Sequence, residues 1–146
     1  MHKMENTPMI ITIIGMIIEG ISVVVLIGTT ILLRNIQNFP GMGSAQEAEM
    51  TASEYADLLK FMDVIGNITF VMAIIYGIFF IVNLYLFTGL MREKFTEEKA
   101  KNIYLYQAIW GGINLISNQI TGILYLISGV QGYNGRKDSI EVREGI

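Results

Sequence analysis

The feature that most constrains this chain is a long apolar stretch near its beginning. Residues 9–33 contain one charged side chain, Glu19, whereas about 20 apolar residues suffice to cross the hydrocarbon core of a bilayer. The stretch is too long for the core of a secretory signal peptide, and Arg34 follows it instead of a small-residue cleavage site. It therefore predicts a membrane span over 9–33.

A second apolar stretch predicts another span. Residues 61–91 are apolar apart from Asp63, Asn67 and Asn83, and their length allows a tilted crossing. In a chain of 146 residues, 52% hydrophobic content is too high for an ordinary soluble domain. These features predict an all-α integral membrane helical bundle, formed by one membrane domain and embedded in the lipid bilayer.

The extracellular segment 34–60 is predicted to contain a surface helix. Ser44 and Glu47 have the spacing of a capping box, and alanines then recur at near-helical intervals. We therefore expect an external amphipathic helix over about 45–60. Its acidic residues, which form a candidate recognition surface, are Glu47, Glu49, Glu54 and Asp57.

The rest of the chain allows one more span or two. A cytoplasmic loop over 92–96 precedes a predicted helix over 97–117, for which Thr96 is the N-cap. The polar residues at 117–119 suit a tight turn before a fourth helix over 119–134. The stretch from 102 to 133 is longer than one span needs and too short for two full spans of about 20 residues each. Its length therefore favours three spans in all.

The basic residues favour four spans. Orientation follows the Lys and Arg residues of the short flanking segments. With the N-terminus in the cytoplasm, three spans place five basic residues on each side, whereas four spans place eight inside and two outside. Four spans would return the C-terminus to the cytoplasm and make the last two helices a short hairpin.

Three stretches together carry a resemblance to a known family. They are Thr-Ile-Ile-Gly at 12–15, Leu-Lys-Phe-Met-Asp-Val-Ile-Gly at 59–66, and Thr-Gly-Ile-Leu-Tyr-Leu-Ile-Ser-Gly at 121–129 followed by Arg136-Lys137. In this order they resemble a family of small membrane proteins of Gram-positive bacteria, catalogued as domain of unknown function 4064. The resemblance implies four spans in the cell membrane, although the last hairpin is shorter here and its end less apolar. It implies no catalytic residues.

Glu19 is the most informative residue of the chain. It lies about 15 Å into the first span and so near the bilayer midplane, where an unpaired carboxylate costs several kcal/mol. With Thr12, Gly15 and Ser22 it forms a stripe at helical spacing. This stripe of small and polar residues is expected to face protein rather than lipid.

A second polar stripe is predicted on the third helix. It consists of Gln107, Gly111, Asn114, Asn118 and Thr121, and Asn114 comes to about the depth of Glu19 if the helices are antiparallel. We therefore expect a Glu19–Asn114 contact within an intramembrane polar site. The site either binds a proton, cation or amine, or joins two helices. The absence of a second acid or buried base favours joining.

Other residues suggest anchoring more than chemistry. His2 is expected to lie in a mobile terminus. An aromatic belt at the inner interface is expected from Tyr85, Phe87, Phe95, Tyr104 and Tyr106.

The sequence favours a non-enzymatic function. Motifs of hydrolases, zinc sites and phosphate-binding loops are absent, there is no cysteine, and we expect no metal, cofactor or nucleic-acid partner. The favoured function is that of an accessory, regulatory or protective partner of another membrane component. The expected partner is a membrane protein or a second copy of this chain. The alternative is a small oligomeric transporter or channel in which Glu19 lines a proton or cation path.

Overall fold

The computed structural model describes the backbone of residues 1–144 and the side chains of residues 1–135. Its α-helices are α1 (Asn6–Arg34), α2 (Ala52–Met91), α3 (Glu97–Ser117) and α4 (Gln119–Glu144), with a short 3₁₀ turn at Ile36–Asn38. The described residues include no β-strand. The all-α prediction is therefore confirmed.

Helices α1 and α2 are long and apolar enough to cross a membrane. They contain 29 and 40 residues and coincide with the two apolar stretches of the sequence. At 1.5 Å per residue, these lengths are about 43 and 60 Å, whereas a hydrocarbon core is about 30 Å thick. By length and composition, both helices are candidate spans.

The separate surface helix predicted over 45–60 is not present. Residues 45–49 form a single turn, and the chain becomes helical at Ala52, from which α2 continues without a break to Met91. The turn ends because Glu49 adopts a left-handed conformation, with φ 54°. The amide of Met50 then donates to the carbonyl of Ala45, a bond that closes a helical turn and prevents its extension.

The predicted cap at Ser44 is formed in part, and a complete capping box lies seven residues later. The Ser44 hydroxyl accepts from the Glu47 amide at 3.2 Å, but the Glu47 carboxylate accepts from the Gly43 amide instead of the Ser44 amide. The Thr51 hydroxyl accepts from the Glu54 amide at 3.3 Å, and the Glu54 carboxylate accepts from the Thr51 amide at 2.9 Å. These reciprocal bonds satisfy amides at a helix start, so the box fixes the beginning of α2.

The predicted start of α3 is confirmed, whereas α4 is longer than predicted. The Thr96 side chain accepts from the amide of Lys99, and α3 begins at Glu97. A single residue, Asn118, separates α3 from α4, and α4 continues to Glu144 rather than ending near residue 134.

The chain divides into two compact units. One consists of Met1–Ile21 with the described residues from Phe79 onward, and contains the first half of α1, the end of α2, α3 and α4. The other is Ser22–Ile78 and contains the second half of α1 and the first part of α2.

Within the first unit, α3 and α4 form an antiparallel hairpin with close backbone packing. A Cβ atom built on Gly111 would lie 2.5 Å from the amide nitrogen of Leu126, and one on Gly122 would lie 2.6 Å from that of Leu115. Gly129 meets the backbone of Ala108 in the same way. Small residues permit such approach between membrane helices, so glycine is required at these positions.

We expect Gly111→Ala and Gly112→Ala to have opposite effects on stability. The added methyl at Gly111 meets the backbone of α4, whereas nothing lies within 4 Å of a Cβ at Gly112. Overpacking of this kind lowers the free energy of unfolding by about 1–3 kcal/mol, whereas alanine in an open helical position raises it by up to about 1 kcal/mol. Unfolding by SDS in mixed micelles, followed by circular dichroism, measures both. Equal effects would contradict the close packing of the hairpin.

Candidate functional site

The candidate site surrounds the carboxyl group of Glu19. This residue is near the middle of α1, and only 1% of its surface is exposed. A buried carboxyl group must find hydrogen-bond partners inside the protein, because losing its hydration is otherwise costly. The site is therefore defined by what surrounds these two oxygen atoms.

Three side chains from three different helices donate hydrogen bonds to Glu19. Asn83 Nδ2 of α2 and Trp110 Nε1 of α3 donate to Oε1, at 2.8 and 2.9 Å. The Tyr125 hydroxyl of α4 donates to Oε2 at 2.6 Å. All three partners are buried. The carboxyl group therefore connects α1 to every other helix of this unit.

Further contacts hold these donors in place. The Tyr106 hydroxyl donates to Asn83 Oδ1 at 2.6 Å, which directs the amide nitrogen of Asn83 toward Glu19. Phe79 stacks on Trp110 with ring centroids 4.2 Å apart, and Phe87 contacts the Tyr125 ring edgewise at 5.2 Å. Because aromatic packing restricts the rotamers of these side chains, the donors are preorganised around the carboxyl group.

Gly15 makes room for Tyr125. A Cβ atom at Gly15 would lie 2.5 Å from Cε1 of the Tyr125 ring. Thr12 and Glu19 lie on the same side of α1 as Gly15, and all three are buried. The prediction that this stripe faces protein is confirmed for these three residues.

The cluster can hold a proton without losing hydrogen bonds. The indole of Trp110 can only donate, and the amide nitrogen of Asn83 can only donate, so Oε1 must accept in either protonation state. A hydroxyl group can donate or accept, so a proton on Oε2 is satisfied once the Tyr125 hydroxyl turns to accept it. Tyr125 is therefore the partner that adapts to the protonation state of Glu19.

A second buried cluster joins the start of α1 to the hairpin. Gln107 Nε2 donates to the Thr12 hydroxyl at 2.9 Å, and the Thr12 and Ser128 hydroxyls are 2.6 Å apart. The Ser128 hydroxyl also donates to the carbonyl of Pro8 at 2.9 Å. All the side chains in this chain of bonds are buried. Its uncharged members join helices but include no nucleophile–base pair.

The predicted Glu19–Asn114 contact is wrong. Asn114 is buried, but its Nδ2 donates to the backbone carbonyl of Trp110 in its own helix at 2.9 Å. A short amide side chain readily bonds to the backbone one turn earlier, whereas the longer indole of Trp110 reaches the carboxylate. The amide expected to contact Glu19 is instead supplied by Asn83.

The other predicted members of the intramembrane site separate in the structure. Gln107 belongs to the second cluster. Asn118 lies at the end of α3, where its Oδ1 accepts from the Thr121 amide at 3.3 Å and caps the start of α4. Ser22 is half-buried and lies in the other compact unit. Of the five predicted residues, only Glu19 belongs to the carboxyl cluster.

The four predicted acidic residues, two in the turn before α2 and two in the first turns of α2, are exposed, as expected, but two of them serve local capping. Glu47 accepts from the Gly43 amide at 3.2 Å. Glu54 accepts from the amide and hydroxyl of Thr51, and these bonds hold the pKa of Glu54 below its usual value. Asp57 and Glu49 are also exposed. Among the described residues, no three His, Cys, Asp or Glu side chains are placed to hold a metal ion.

Sequence reasoning missed Asn83, Trp110, Tyr125 and Tyr106 as partners. Tyr125 and Ser128 continue the predicted polar stripe at the same 4–3 spacing beyond Thr121, so extending that stripe would have identified them. Asn83 is an isolated amide in an apolar stretch. Nothing in the sequence indicates that Trp110 bonds to Glu19, except that it is the only tryptophan of the chain.

Two further expectations are wrong because their residues are buried. His2 is 1% exposed, with its Nε2 2.8 Å from the Tyr104 hydroxyl and its amide bonded to the Phe95 carbonyl. Phe87, Phe95 and Tyr104 are buried rather than part of an aromatic belt, whereas Tyr85 is exposed. The N-terminus is therefore attached to the helical unit.

Comparison with family models, with curated proteins and with solved structures finds no match for this chain. The resemblance to domain of unknown function 4064 stays a prediction.

We expect Glu19→Gln to be tolerated and Glu19→Leu to be strongly destabilising. Glutamine keeps an acceptor for Asn83 and Trp110 and can donate to the Tyr125 hydroxyl, so its cost should be about 1 kcal/mol or less. Leucine leaves three buried donors without an acceptor, at about 1–3 kcal/mol each. SDS unfolding in mixed micelles measures the difference, and Tyr125→Phe should weaken the wild type by about 1 kcal/mol. Equal stability of the leucine and glutamine variants would contradict a structural role for the carboxyl cluster.

Proposed function

We propose that this chain is a four-span protein of the cell membrane and acts as a non-enzymatic accessory, regulatory or protective partner of another membrane component. In this proposal both termini lie in the cytoplasm. The observation that carries the proposal is the enclosed state of Glu19, the one acidic residue within the first span, which is 1% exposed and bonded to three helices. Such a group suits helix association more than passage of an ion.

The dimensions of the hairpin support two crossings by α3 and α4. Trp110 is level with Glu19, and the turn at Asn118 lies eight positions after Trp110. Eight helical residues span about 12 Å, and half of a hydrocarbon core is about 15 Å. With Glu19 at the midplane, the turn at Asn118 comes close to the outer boundary. On the other side, α3 begins at Glu97, about 20 Å from Trp110.

The outward faces of α3 and α4 also support an embedded hairpin. Large apolar side chains with exposed fractions of 42–91% recur at helical spacing along both helices. They are Leu105, Ile109, Ile113 and Ile116 on α3, and Ile120, Ile123, Ile127 and Val130 on α4. An exposed apolar surface of this extent is unfavourable in water, and lipid tails would cover it.

The basic residues support the same orientation. Four spans place Arg92 and Lys94 on the same side of the membrane as the basic residues that follow the last span, and on the opposite side from Arg34 and Lys60. The basic residues after the last span are Arg136, Lys137 and Arg143. The exposed acidic residues at the start of α2 would then lie outside, where they are accessible to a partner.

The competing function is transport of protons or cations. One observation favours it: both protonation states of Glu19 can be satisfied within the cluster, with Tyr125 adapting to each. A conducting function would also need water to reach Glu19 from both sides.

Labelling of single cysteines tests the proposed topology, and the absence of native cysteine makes the background clean. We expect an impermeant maleimide to label Asn118→Cys and Asp57→Cys on intact cells. Lys94→Cys and Ser139→Cys should be labelled only after permeabilisation. Labelling of Ser139→Cys on intact cells would show three spans, and release of the protein by alkaline carbonate would contradict an integral membrane location.

Purification after mild crosslinking, combined with flux measurements in liposomes, tests the proposed function. We expect a second membrane protein to co-purify in equal yield with the wild type and Glu19→Gln, and neither form to conduct protons or cations above protein-free liposomes. Asp57→Asn with Glu49→Gln should lower the yield of that partner several-fold, because both exposed charges are removed. Flux by the wild type that is lost in Glu19→Gln would replace this proposal by the transport function.

A further inference from the structure

The unit formed by Ser22–Ile78 contains an apolar groove between α1 and α2. Its volume is about 400 Å³, and its walls are formed mainly by Ile27, Ile31, Phe70 and Ile74. A volume of this size is within the range of small-molecule sites in proteins. The four wall residues are between 42% and 59% exposed, so the groove is accessible from the surface of the helix pair.

The floor of the groove presents no unsatisfied polar group. It contains Ala73 and Thr30, which are buried. The Thr30 hydroxyl donates to the carbonyl of Leu26 at 2.9 Å and lies 3.1 Å from the Thr69 hydroxyl. Because its hydroxyl group is occupied by these bonds, the floor is suited to a hydrocarbon chain.

One end of the groove carries a positive charge. The Arg34 guanidinium lies 4.6 Å from the centroid of the Phe70 ring and donates one hydrogen bond, of 2.8 Å, to Asn67 Oδ1. The other side of the Asn67 amide, Nδ2, donates to Asp63 Oδ2 at 3.5 Å. Asn67 therefore lies between Arg34 and Asp63. Among the described residues, Arg34 forms no salt bridge. The side chain is exposed and lines the groove, and a guanidinium has five N–H groups, so Arg34 has donors left for a ligand.

We infer that this groove is a phospholipid site, in which an acyl chain lies against Ile31, Phe70 and Ala73 and the phosphate binds Arg34. Arginine binds phosphate through two parallel N–H bonds, and the ring of Phe70 and the amide of Asn67 hold the guanidinium in position. Ala73 lies six positions after Asn67 on α2, or about 9 Å along the helix, so the groove accommodates the part of the acyl chain next to the headgroup. The inference rests on the proposed membrane location, but not on the number of spans or on a protein partner.

Native mass spectrometry of the purified full chain with added phosphatidylglycerol tests this site. We expect one lipid to bind more tightly than the others, and Arg34→Gln to weaken that binding about tenfold. Ala73→Leu should weaken it similarly by filling the floor, and Arg34→Lys should have an intermediate effect because it retains the charge without the paired N–H groups. Lys60→Gln is the matched control: it removes the same charge from the same unit outside the groove and should bind as the wild type.

Three results would overturn the lipid site. The first is equal lipid binding by the wild type, Arg34→Gln and Ala73→Leu. The second is that inorganic phosphate displaces the bound lipid as effectively as added phosphatidylglycerol does, which would show that the groove contributes nothing to binding. The third is a dimer of this chain, or a protein partner, that replaces the bound lipid and is lost in Ala73→Leu. Two controls keep these results interpretable. Arg34→Gln changes an exposed side chain, so the test remains valid if Ala73→Leu fails to fold. Extraction by alkaline carbonate is measured separately, so failure of the membrane location is distinguishable from failure of the site.

Discussion

The packing of the four-helix unit depends on one buried carboxyl group that has to find its donors within the protein. Glu19 supplies two acceptor oxygens in a largely apolar helix, and α2, α3 and α4 each supply one donor. Apolar contacts are tolerant of rotation, because many arrangements bury similar areas. Hydrogen bonds of 2.6–2.9 Å from an amide, an indole and a phenol depend on direction and are broken when a helix rotates. The cluster therefore fixes the rotation of each helix about its own axis.

Close backbone packing complements this polar specificity. In the proposed membrane location the hydrophobic effect does not drive helices together, so contact must come from van der Waals packing and hydrogen bonds. Gly111, Gly122 and Gly129 allow α3 and α4 to approach until backbone meets backbone. This proximity brings Trp110 and Tyr125, one from each helix, to the two oxygens of the same carboxyl group.

The parts of the fold that follow from local physical chemistry were predictable from the sequence. The two long apolar helices, the N-cap at Thr96 and the buried face of α1 all follow from periodicity and capping. The identity of the partners of Glu19 was not predictable. Depth in the membrane placed Asn114 near Glu19, but depth does not reveal which way a side chain turns, and Asn114 bonds to its own helix. Likewise, the composition of 45–60 is helical, whereas the left-handed conformation at Glu49 that interrupts it is a property of the folded backbone.

The separation of these donors along the chain has a consequence for biosynthesis. Asn83 follows Glu19 by 64 residues, Trp110 by 91 and Tyr125 by 106. During translation α1 therefore leaves the ribosome with its carboxyl group unsatisfied, acquires one donor when α2 is made, and receives the last when α4 is made. In the proposed membrane location, the insertion machinery has to shelter Glu19 through this interval. A chain that stalls before α4 would retain α1 with an incompletely satisfied acid, a feature by which membrane quality control would distinguish it from the folded protein.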